Sequence, residues 1–585
     1  MGALYGFAGA PDRKLIAHMG EALRHRGREA EQRLELPWVT LAVRPRLPPG
    51  TLHAASGILQ RGPLAVALAG LLFGRDSERD LDGWLARVER EGEAALSELR
   101  GAFVLALADE RTHTLTLMRD AAGVRTAYHA RAAGRVLFAV EPKGVLACPD
   151  LPRRPRPAAL AQYLTFSFVP GEGTLLEGVR ELLPGHAHSF QGGEERVVRH
   201  FRFEEREPEA TAEPSAELEA EWAARFREAH AHAVAERRPR GETVGVFLSG
   251  GLDSSVVTAE LTAQHDATVR SYSLWFGPEY PHELEFARAV ARRAGTEHTE
   301  VLLRPKEFLP ELRRIAWHLD DPIGDPITVP NFMLAARVAR DVRFIYNGEG
   351  GDPVFGGPKN IPMMLQHWYG GIEREPGFRE RAYLASFRRG YEEWPRLLAP
   401  AWASEVDARR DLEGLLTPFL EGERPRLFLN KLTATNLRLK GAHLILPKVD
   451  RMTGAAGLVP LSPLFDDRLI ELSFAMPAWM KLRHGIEKRA LKLAYAGQLP
   501  PEVVARPKSG MRVPVHWWMQ GDMKRYARRV LAARELRRGG ILEPQRVRKL
   551  LDYDIEEGPG RYGLRIWMLL TLELWRRLVV EREAP

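Results

Sequence analysis

Cysteine is almost absent from this 585-residue chain. The only one is Cys148, which excludes internal disulfides and cysteine-rich metal sites and points to burial as a small apolar residue. Long apolar runs are missing as well. The longest late stretch, around Ile566 to Leu570, is followed by Glu573, Arg576 and Arg577 and is too short to span a bilayer. The start, Met1 to Ala10, is apolar but short and has no basic flank, so no secretory leader is expected and the chain reads as cytoplasmic. No Lys/Arg run with interleaved aromatics is present of the kind that grips single strands. The net charge of +7 is carried largely by arginine spread along the chain, which reads as solvated surface. Neither nucleic acid nor a membrane is an expected partner.

What remains is 45% hydrophobic and 28% charged residues, a globular composition. The length exceeds the roughly 250–300 residues at which a single core stops growing, so more than one domain is expected. One stretch organises the rest. The apolar run Val244 to Leu248 turns through Ser249, Gly250, Gly251, Leu252, Asp253, Ser254 and Ser255 into the apolar-periodic segment Val256 to Leu261; this is strand, loop, helix. The glycines let the backbone approach an anion, and hydroxyls with free amides at the helix start point donors at it. The loop reads as a phosphate cradle, although it lacks the lysine of a Walker loop.

The run SGGLDSS resembles the pyrophosphate-binding loop of the PP-loop ATP pyrophosphatases, which adenylate a substrate with ATP and release pyrophosphate. The resemblance implies that Leu248, Ser249, Gly250, Gly251, Asp253, Ser254 and Ser255 bind ATP, with Ser273 meeting adenine at the end of the next strand, Val269 to Leu274. Farther on, the strand Val342 to Tyr346 runs into Asn347, Gly348, Glu349, Gly350, Gly351 and Asp352, similar to the second signature of asparagine synthetases, which adds Gly348 to the nucleotide site. Two carboxylates beside a polyphosphate repel it unless a cation intervenes, and magnesium is held by one or two carboxylates plus substrate phosphates. Asp253 and Asp352 are therefore the expected metal ligands, as in the related enzymes. Glu349 matches the acidic residue near the reacting carboxylate and amine, where β-lactam synthetases carry a tyrosine. The stretch Ala505 to Pro514 resembles the segment with the family's active-site lysine, which implies that role for Lys508. The acid-rich turn Asp320 to Pro326 reads equally as a plain loop or as part of the site.

Before the linker-like stretch, short apolar runs alternate with turn signals: Thr40 to Val43, Leu64 to Leu68, Ala102 to Leu107, Thr114 to Met118 and Val136 to Val140. They predict a sheet-rich domain with a helix near Lys14 to Arg26. Leu4 to Gly9, His25-Arg26-Gly27, Leu99 to Phe103, Arg119 to Val124 and Leu137 to Lys143 resemble the class II glutamine amidotransferase domain of asparagine synthetases. That family uses a cysteine at the free N-terminus as nucleophile, with its own α-amino group as base. The matching position here is Gly2; the family's asparagine–glycine pair falls on Ala69-Gly70, and Arg46 falls where the family places an arginine for the glutamine carboxylate. Glutamine hydrolysis is expected to be lost. Similarly, Lys448 to Thr453 resembles the family's Asp-Arg-Met segment, but Val459 and Leu461 replace the glutamate and arginine that usually follow. A substrate other than free aspartate is the expectation.

The chain is thus expected to be α/β: an N-terminal Ntn-hydrolase-like, sheet-rich (αββα) domain over 1–200, a proline-bearing linker over 201–216, and over 217–585 a doubly wound parallel-sheet PP-loop ATP pyrophosphatase domain with extra helices. The resemblance implies a ligase using ATP and Mg2+ to adenylate a carboxylate and pass it to an amine, as a macrocyclase or a small-molecule amide synthetase, akin to β-lactam synthetases and lasso-peptide cyclases. The substrate is a small molecule or peptide carrying carboxylate and amine. A peptide carrier or a second copy of the chain remains open as a partner. Alternatives are an ammonia-dependent asparagine synthetase, a tRNA-modifying PP-loop enzyme and a non-catalytic scaffold.

Overall fold

A computed structural model describes residues 2–48, 51–53, 56–74, 80–206, 209, 211–357, 360–369, 375–507, 511, 513–552 and 563–585, excepting the side chains of 53, 366, 368, 369, 388 and 389. The first half of the chain forms β1 (Ala3–Ala8), β2 (Gln32–Leu36), β3 (Val39–Arg44), β4 (Gly57–Arg61), β5 (Leu64–Leu72), β6 (Gly101–Asp109), β7 (Thr114–Arg119), β8 (Tyr128–Ala132), β9 (Arg135–Ala139), β10 (Val179–Glu181), β11 (His186–Gln191) and β12 (Glu194–Arg199). They make two sheets, ordered β10-β8-β9-β1-β3-β2 and β12-β11-β7-β6-β5-β4, with antiparallel pairing throughout.

Strand β5 shows why the sheets stack. Its alternate residues Ala65, Ala67, Ala69 and Leu71 join the core that includes the first sheet. Leu64, Val66, Leu68 and Leu72 turn the other way, onto Trp84, Leu85 and Val88 of the helix Leu81–Glu91. A two-residue side-chain period with both faces apolar lets one strand serve two layers. On the far side the helix Arg13–Ala22 lays Leu15, Ile16 and Met19 onto the first sheet. The Asp12 carboxylate accepts from the amides of Lys14 and Leu15 at 3.1 and 3.0 Å and fixes where that helix starts. The layering is αββα.

Strand β12 ends at Arg199, and the next long helix, Ala216–Ala235, is capped by Ser215. Beyond it lie β13 (Val244–Phe247), β14 (Val269–Trp275), β15 (Glu297–Leu302), β16 (Phe344–Tyr346) and β17 (Val459–Leu461). They form one parallel sheet in the order β15-β14-β13-β16-β17. Helices Leu252–Gln264, Leu284–Ala294 and Thr328–Val338 occur between successive strands. The order reverses between β13 and β16, which opens a crevice at the carboxyl ends of those two strands. The late apolar stretch around Ile566 to Leu570 belongs to the helix Gly563–Trp575. It packs on the helices Leu312–Leu319 and Val515–Gln520, and also reaches the N-terminal half, where the Tyr163 hydroxyl donates to the Met568 carbonyl at 2.9 Å. No helix among the described residues is long and apolar enough to cross a membrane. Cys148 is buried.

The expectation of solvated arginine fails where the two halves meet. Arg26, Arg119, Arg125 and Arg451 are among the largest fully buried side chains. Arg26 and Arg125 both pair with Asp450, the former at 2.5 Å, and Arg125 also donates to the Gly2 carbonyl at 2.9 Å. Arg451 donates to the Tyr128 hydroxyl and the Leu319 carbonyl. Glu141 gathers His25 at 3.0 Å, Arg26 at 3.2 Å and Lys143 at 2.6 Å, and Lys143 reaches Asp320 at 2.8 Å. Although burial raises it, the Asp450 carboxyl is held at about 2 by Arg125 and Arg26. A charge survives out of water only when paired this closely. Arg26, Arg125 and Arg451 were unreadable as interior because Asp450 lies 424 and 325 residues from the first two and Tyr128 323 from the third.

Candidate active site

The crevice between β13 and β16 holds a cavity of about 420 Å³, lined among others by Ser249, Gly251, Asp253, Gly348, Glu349 and Asp352. The loop after β13 is shaped by its own side chains. The Ser249 amide donates to Ser254 Oγ at 3.2 Å, the Gly251 amide to Ser249 Oγ at 3.3 Å, and the Ser255 hydroxyl to the Gly251 carbonyl at 2.7 Å. Gly250 adopts φ +78°, and a Cβ there would meet the Ala287 amide at 2.6 Å. Arg506 holds the loop from outside, donating to the Gly250 carbonyl at 3.3 Å and pairing with Glu283. Leu248 is buried, and its amide donates to the Tyr272 carbonyl at 2.9 Å.

The loop after β16 comes against this one because it is glycine-rich. A Cβ on Gly348 would lie 2.4 Å from the Ser254 amide nitrogen, and one on Gly351 2.2 Å from Asp253 Oδ1. Buried Asn347 sets the turn: its side-chain amide donates to the Leu461 carbonyl at 3.2 Å and to Ser462 Oγ at 3.0 Å, while its oxygen accepts from the Glu349 amide at 3.1 Å. Glu349 is half-buried in the same cavity.

Asp253 and Asp352 converge on one cation, Lys488. Its ammonium lies 2.7 and 2.6 Å from the two Asp253 oxygens and also pairs with Asp352 Oδ1. Sequence reasoning missed this residue. A two-strand hairpin, Leu482–Arg483 with Ile486–Glu487, turns through His484 and Gly485, both at positive φ, and delivers Lys488 at φ +56° to the start of the helix Arg489–Tyr495. A non-glycine residue held at positive φ marks a place where position outweighs local comfort. The His-Gly turn pair was the readable signal; the partner carboxylates were not. Lys508, the lysine expected from sequence, lies outside the described residues, whereas Lys488 meets both expected metal ligands.

Two carboxylates brought within reach of a single ammonium at the crevice form an all-oxygen donor pair. With phosphate oxygens added, it suits a hard cation such as Mg2+. Ser273, expected beside adenine, is 3% exposed and gives its hydroxyl to the Leu248 carbonyl at 2.5 Å, tying β14 to the loop. It lines a neighbouring cavity of about 280 Å³ with Ser249, Trp275, Phe276 and Met511.

The acid-rich turn is divided between two environments. Asp320 faces Lys143 in the buried interface, the Asp321 carboxylate accepts from the Leu175 amide at 3.2 Å, and Asp325 lines the large cavity, 3.1 Å from Lys448 Nζ. The helix Leu446–Ala455 is divided in the same way. Lys448, Val449 and Thr453 line the cavity, whereas Asp450 and Arg451 turn to the N-terminal half. Val459 and Leu461 are buried in β17, paired to β16.

In the N-terminal domain, a Cβ on Gly2 would stand 2.5 Å from the Arg44 carbonyl oxygen. Arg46 is spent on main-chain carbonyls: Arg26 at 2.9 Å, His25 at 2.6 Å and Gly454 at 2.9 Å.

The family model described as asparagine synthase matches residues 225–577, and that described as glutamine amidotransferase domain matches residues 72–201. The chain is similar to asparagine synthetase (glutamine-hydrolyzing) 1 of Bacillus subtilis, 26% identical over 541 residues that cover 88% of this chain and 83% of the relative. A putative asparagine synthetase (glutamine-hydrolyzing) of Mycobacterium tuberculosis is 27% identical over 571 residues, 88% and 82% of the two chains. Asparagine synthetase (glutamine-hydrolyzing) 3 of B. subtilis is 27% identical over 452 residues, 71% and 68%.

Proposed function

This chain belongs to the asparagine synthase family, and from that premise we propose that it is an ATP-dependent, AMP-forming carbon–nitrogen ligase that joins a carboxylate to an amine not drawn from glutamine. The class is that of the family. The departure from glutamine rests on one observation: Gly2 stands where the family's nucleophile would be, with the Arg44 backbone 2.5 Å from any added Cβ. Arg46, bound to three main-chain carbonyls, and Ala69 in place of the asparagine support the same reading. Residues 1–200 then act as a scaffold for the synthetase half.

A carboxylate resists nucleophiles, so its oxygen first attacks the α-phosphorus of ATP, pyrophosphate leaves, and the acyl carbon gains AMP as leaving group. The amides and hydroxyls of Ser249 to Ser255 cradle the departing pyrophosphate, and the Lys488 ammonium balances charge that develops beside Asp253 and Asp352. Asp253 and Asp352 would hold Mg2+, which would screen the phosphates from those carboxylates. The amine then attacks the acyl carbon and AMP departs. An alkyl amine has a pKa of about 10.4 in water, so a base is needed; Glu349, in the same cavity, takes the proton. An amine carried by the substrate itself gains proximity without any ammonia supply, which favours an intramolecular or peptide amide. Val459 and Leu461, apolar where the family carries glutamate and arginine, support a substrate other than free aspartate.

The test is pyrophosphate release from ATP and magnesium by the purified chain. Separate reactions contain glutamine plus aspartate, ammonia plus aspartate, diamino acids or peptides, and tRNA, each beside Asp253→Ala. Release on a compound with its own carboxylate and amine, silent with glutamine and lost in the variant, is expected. Release with ammonia and aspartate would make the chain an ammonia-dependent asparagine synthetase and overturn the argument from Val459 and Leu461.

A further inference from the structure

In the N-terminal sandwich, far in sequence from the nucleotide loop, β8, β11 and β12 bring together His129, His188 and Glu195. One donor atom from each lies within 4.8 Å of the others. His129 Nε2 is 3.8 Å and His188 Nδ1 2.8 Å from Glu195 Oε1. We propose that these three side chains form a transition-metal site, suited to zinc, that clips the two sheets together along one edge.

Burial and geometry both support it. His129 is 2% exposed and His188 is fully buried. Neither ring nitrogen of His129, nor Nε2 of His188, has a hydrogen-bond partner among the described residues. Buried polar nitrogens are normally satisfied, and an ion would give a partner to His129 Nε2, the one of the three that faces Glu195. Zinc bonds to imidazole nitrogen and carboxylate oxygen are about 2.0–2.2 Å, so tetrahedral donors stand about 3.4 Å apart. The observed 2.8 and 3.8 Å fall on either side of that spacing, and the two imidazole donors lie within 4.8 Å of each other, so side-chain shifts of up to about 1.4 Å close the site.

The surroundings suit a ligand set. Glu195 presents Oε1 to the imidazoles while Oε2 accepts from Arg180 at 3.3 Å. Arg180 is itself anchored on Glu172. Such an outer partner fixes the orientation of a ligating carboxylate. Phe190 packs 5.3 Å from His129, ring to ring, and supplies an apolar wall. Two imidazoles and one carboxylate suit zinc and its neighbours rather than magnesium, with a water as fourth ligand, which separates this site from the all-oxygen pair Asp253 and Asp352.

The position gives the ion a job. β8 is one strand in from the edge of the first sheet, β11 one strand in from the edge of the second, and β12 is that second edge. An ion there ties two sheets that otherwise meet through side-chain packing, closing the sandwich where edge strands are least supported.

Chelator-stripped full-length protein in excess Mg2+, which occupies oxygen sites, should be titrated with Co2+ and read by visible ligand-field absorption, then displaced with Zn2+ and counted by mass spectrometry. A single Co2+ per chain with tetrahedral absorption, displaced by Zn2+, absent in His188→Ala and in the shape-preserving Glu195→Gln and unchanged in Asp253→Ala, is expected. Arg180→Ala should weaken binding about 10–100-fold. Near-UV circular dichroism keeps a misfolded variant from passing as a lost site. No absorption in the wild type, absorption that persists in a folded Glu195→Gln, or absorption that vanishes with Asp253→Ala would each overturn the site.

Discussion

Asp450→Asn tests whether the two halves are held together by the buried charges. The side chain is 4% exposed and pairs with Arg26 and Arg125, whose side chains are 1% and 0% exposed. Holding its carboxyl at about 2 rather than 3.8 is worth about 2 kcal/mol. Removing one member of a buried ion group costs more, about 3–5 kcal/mol, because the remaining charges stay buried without their counter-ion. Asparagine keeps the shape and one acceptor, so a loss near the lower bound, about 3 kcal/mol, is expected. For a cooperative unit of 150–250 residues that lowers the first calorimetric transition by about 6–12 °C. The sign with pH is fixed: a carboxyl whose folded pKa lies below its unfolded value stabilises fully above about 3.8 and stops doing so as pH falls towards about 2. The gap between wild type and Asp450→Asn should therefore be constant near neutrality and narrow below pH about 4. Replacing Asp450, Arg26 and Arg125 together by leucine and methionines should recover most of the loss, since apolar packing often matches a buried ion group. A single-variant loss under about 1 kcal/mol, or a gap that widens in acid, would refute the reasoning.

Lys488→Met should abolish pyrophosphate release by at least about 100-fold while the chain still folds by circular dichroism; residual turnover near wild type would remove Lys488 from the site. Gly348→Ala puts a Cβ 2.4 Å from the Ser254 amide nitrogen, so ATP binding measured by calorimetry should fall sharply, and unchanged affinity would contradict the close approach of the two loops. Gly2→Cys should not restore glutamate release from glutamine, because the new Cβ meets the Arg44 carbonyl at 2.5 Å; appreciable release would show that the site is merely missing its thiol. Lys481 is pushed down to about 7 by burial. The unfolded chain thus binds more protons between pH about 7 and 10.5, and stability should rise with pH across that window by an amount that Lys481→Met removes.

The loop after β13 was legible because its chemistry is local: Ser249, Gly251, Ser254 and Ser255 bond to one another within seven residues. The helix Leu284–Ala294 and strand β14 were legible for the same reason, since a 3.6 or 2.0 period needs no distant partner. The layering of the first half followed from runs such as Leu64 to Leu72, although only the structure shows that Ala65, Ala67, Ala69 and Leu71 face one layer and Leu64, Val66, Leu68 and Leu72 the other. Lys488 was not legible. Its identity as a site residue depends on Asp253, 235 positions away, and its own neighbours, His484 to Glu487, announce only a turn. The metal-type cluster was hidden likewise: His129 and His188 lie on different sheets, and no spacing rule joins them.

Why a chain with glycine at its second position keeps a whole amidotransferase-like domain follows from the same interface. Arg451 belongs to the helix that lines the active-site cavity through Lys448, Val449 and Thr453, and its guanidinium donates to Tyr128 across the interface. Asp450, on that helix, is neutralised by Arg26 and Arg125 from the first half. Remove residues 1–200 and Asp450 loses both counter-ions while one face of the cavity helix meets water. On the function proposed above, the domain's contribution is mechanical: it supplies the charges that fix the helix carrying one wall of the cavity. A chain cut to begin at residue 217 should therefore lose pyrophosphate release despite keeping Asp253, Glu349, Asp352 and Lys488, and co-expressing residues 1–200 in trans should restore it. Full activity of the shortened chain alone would sink this account.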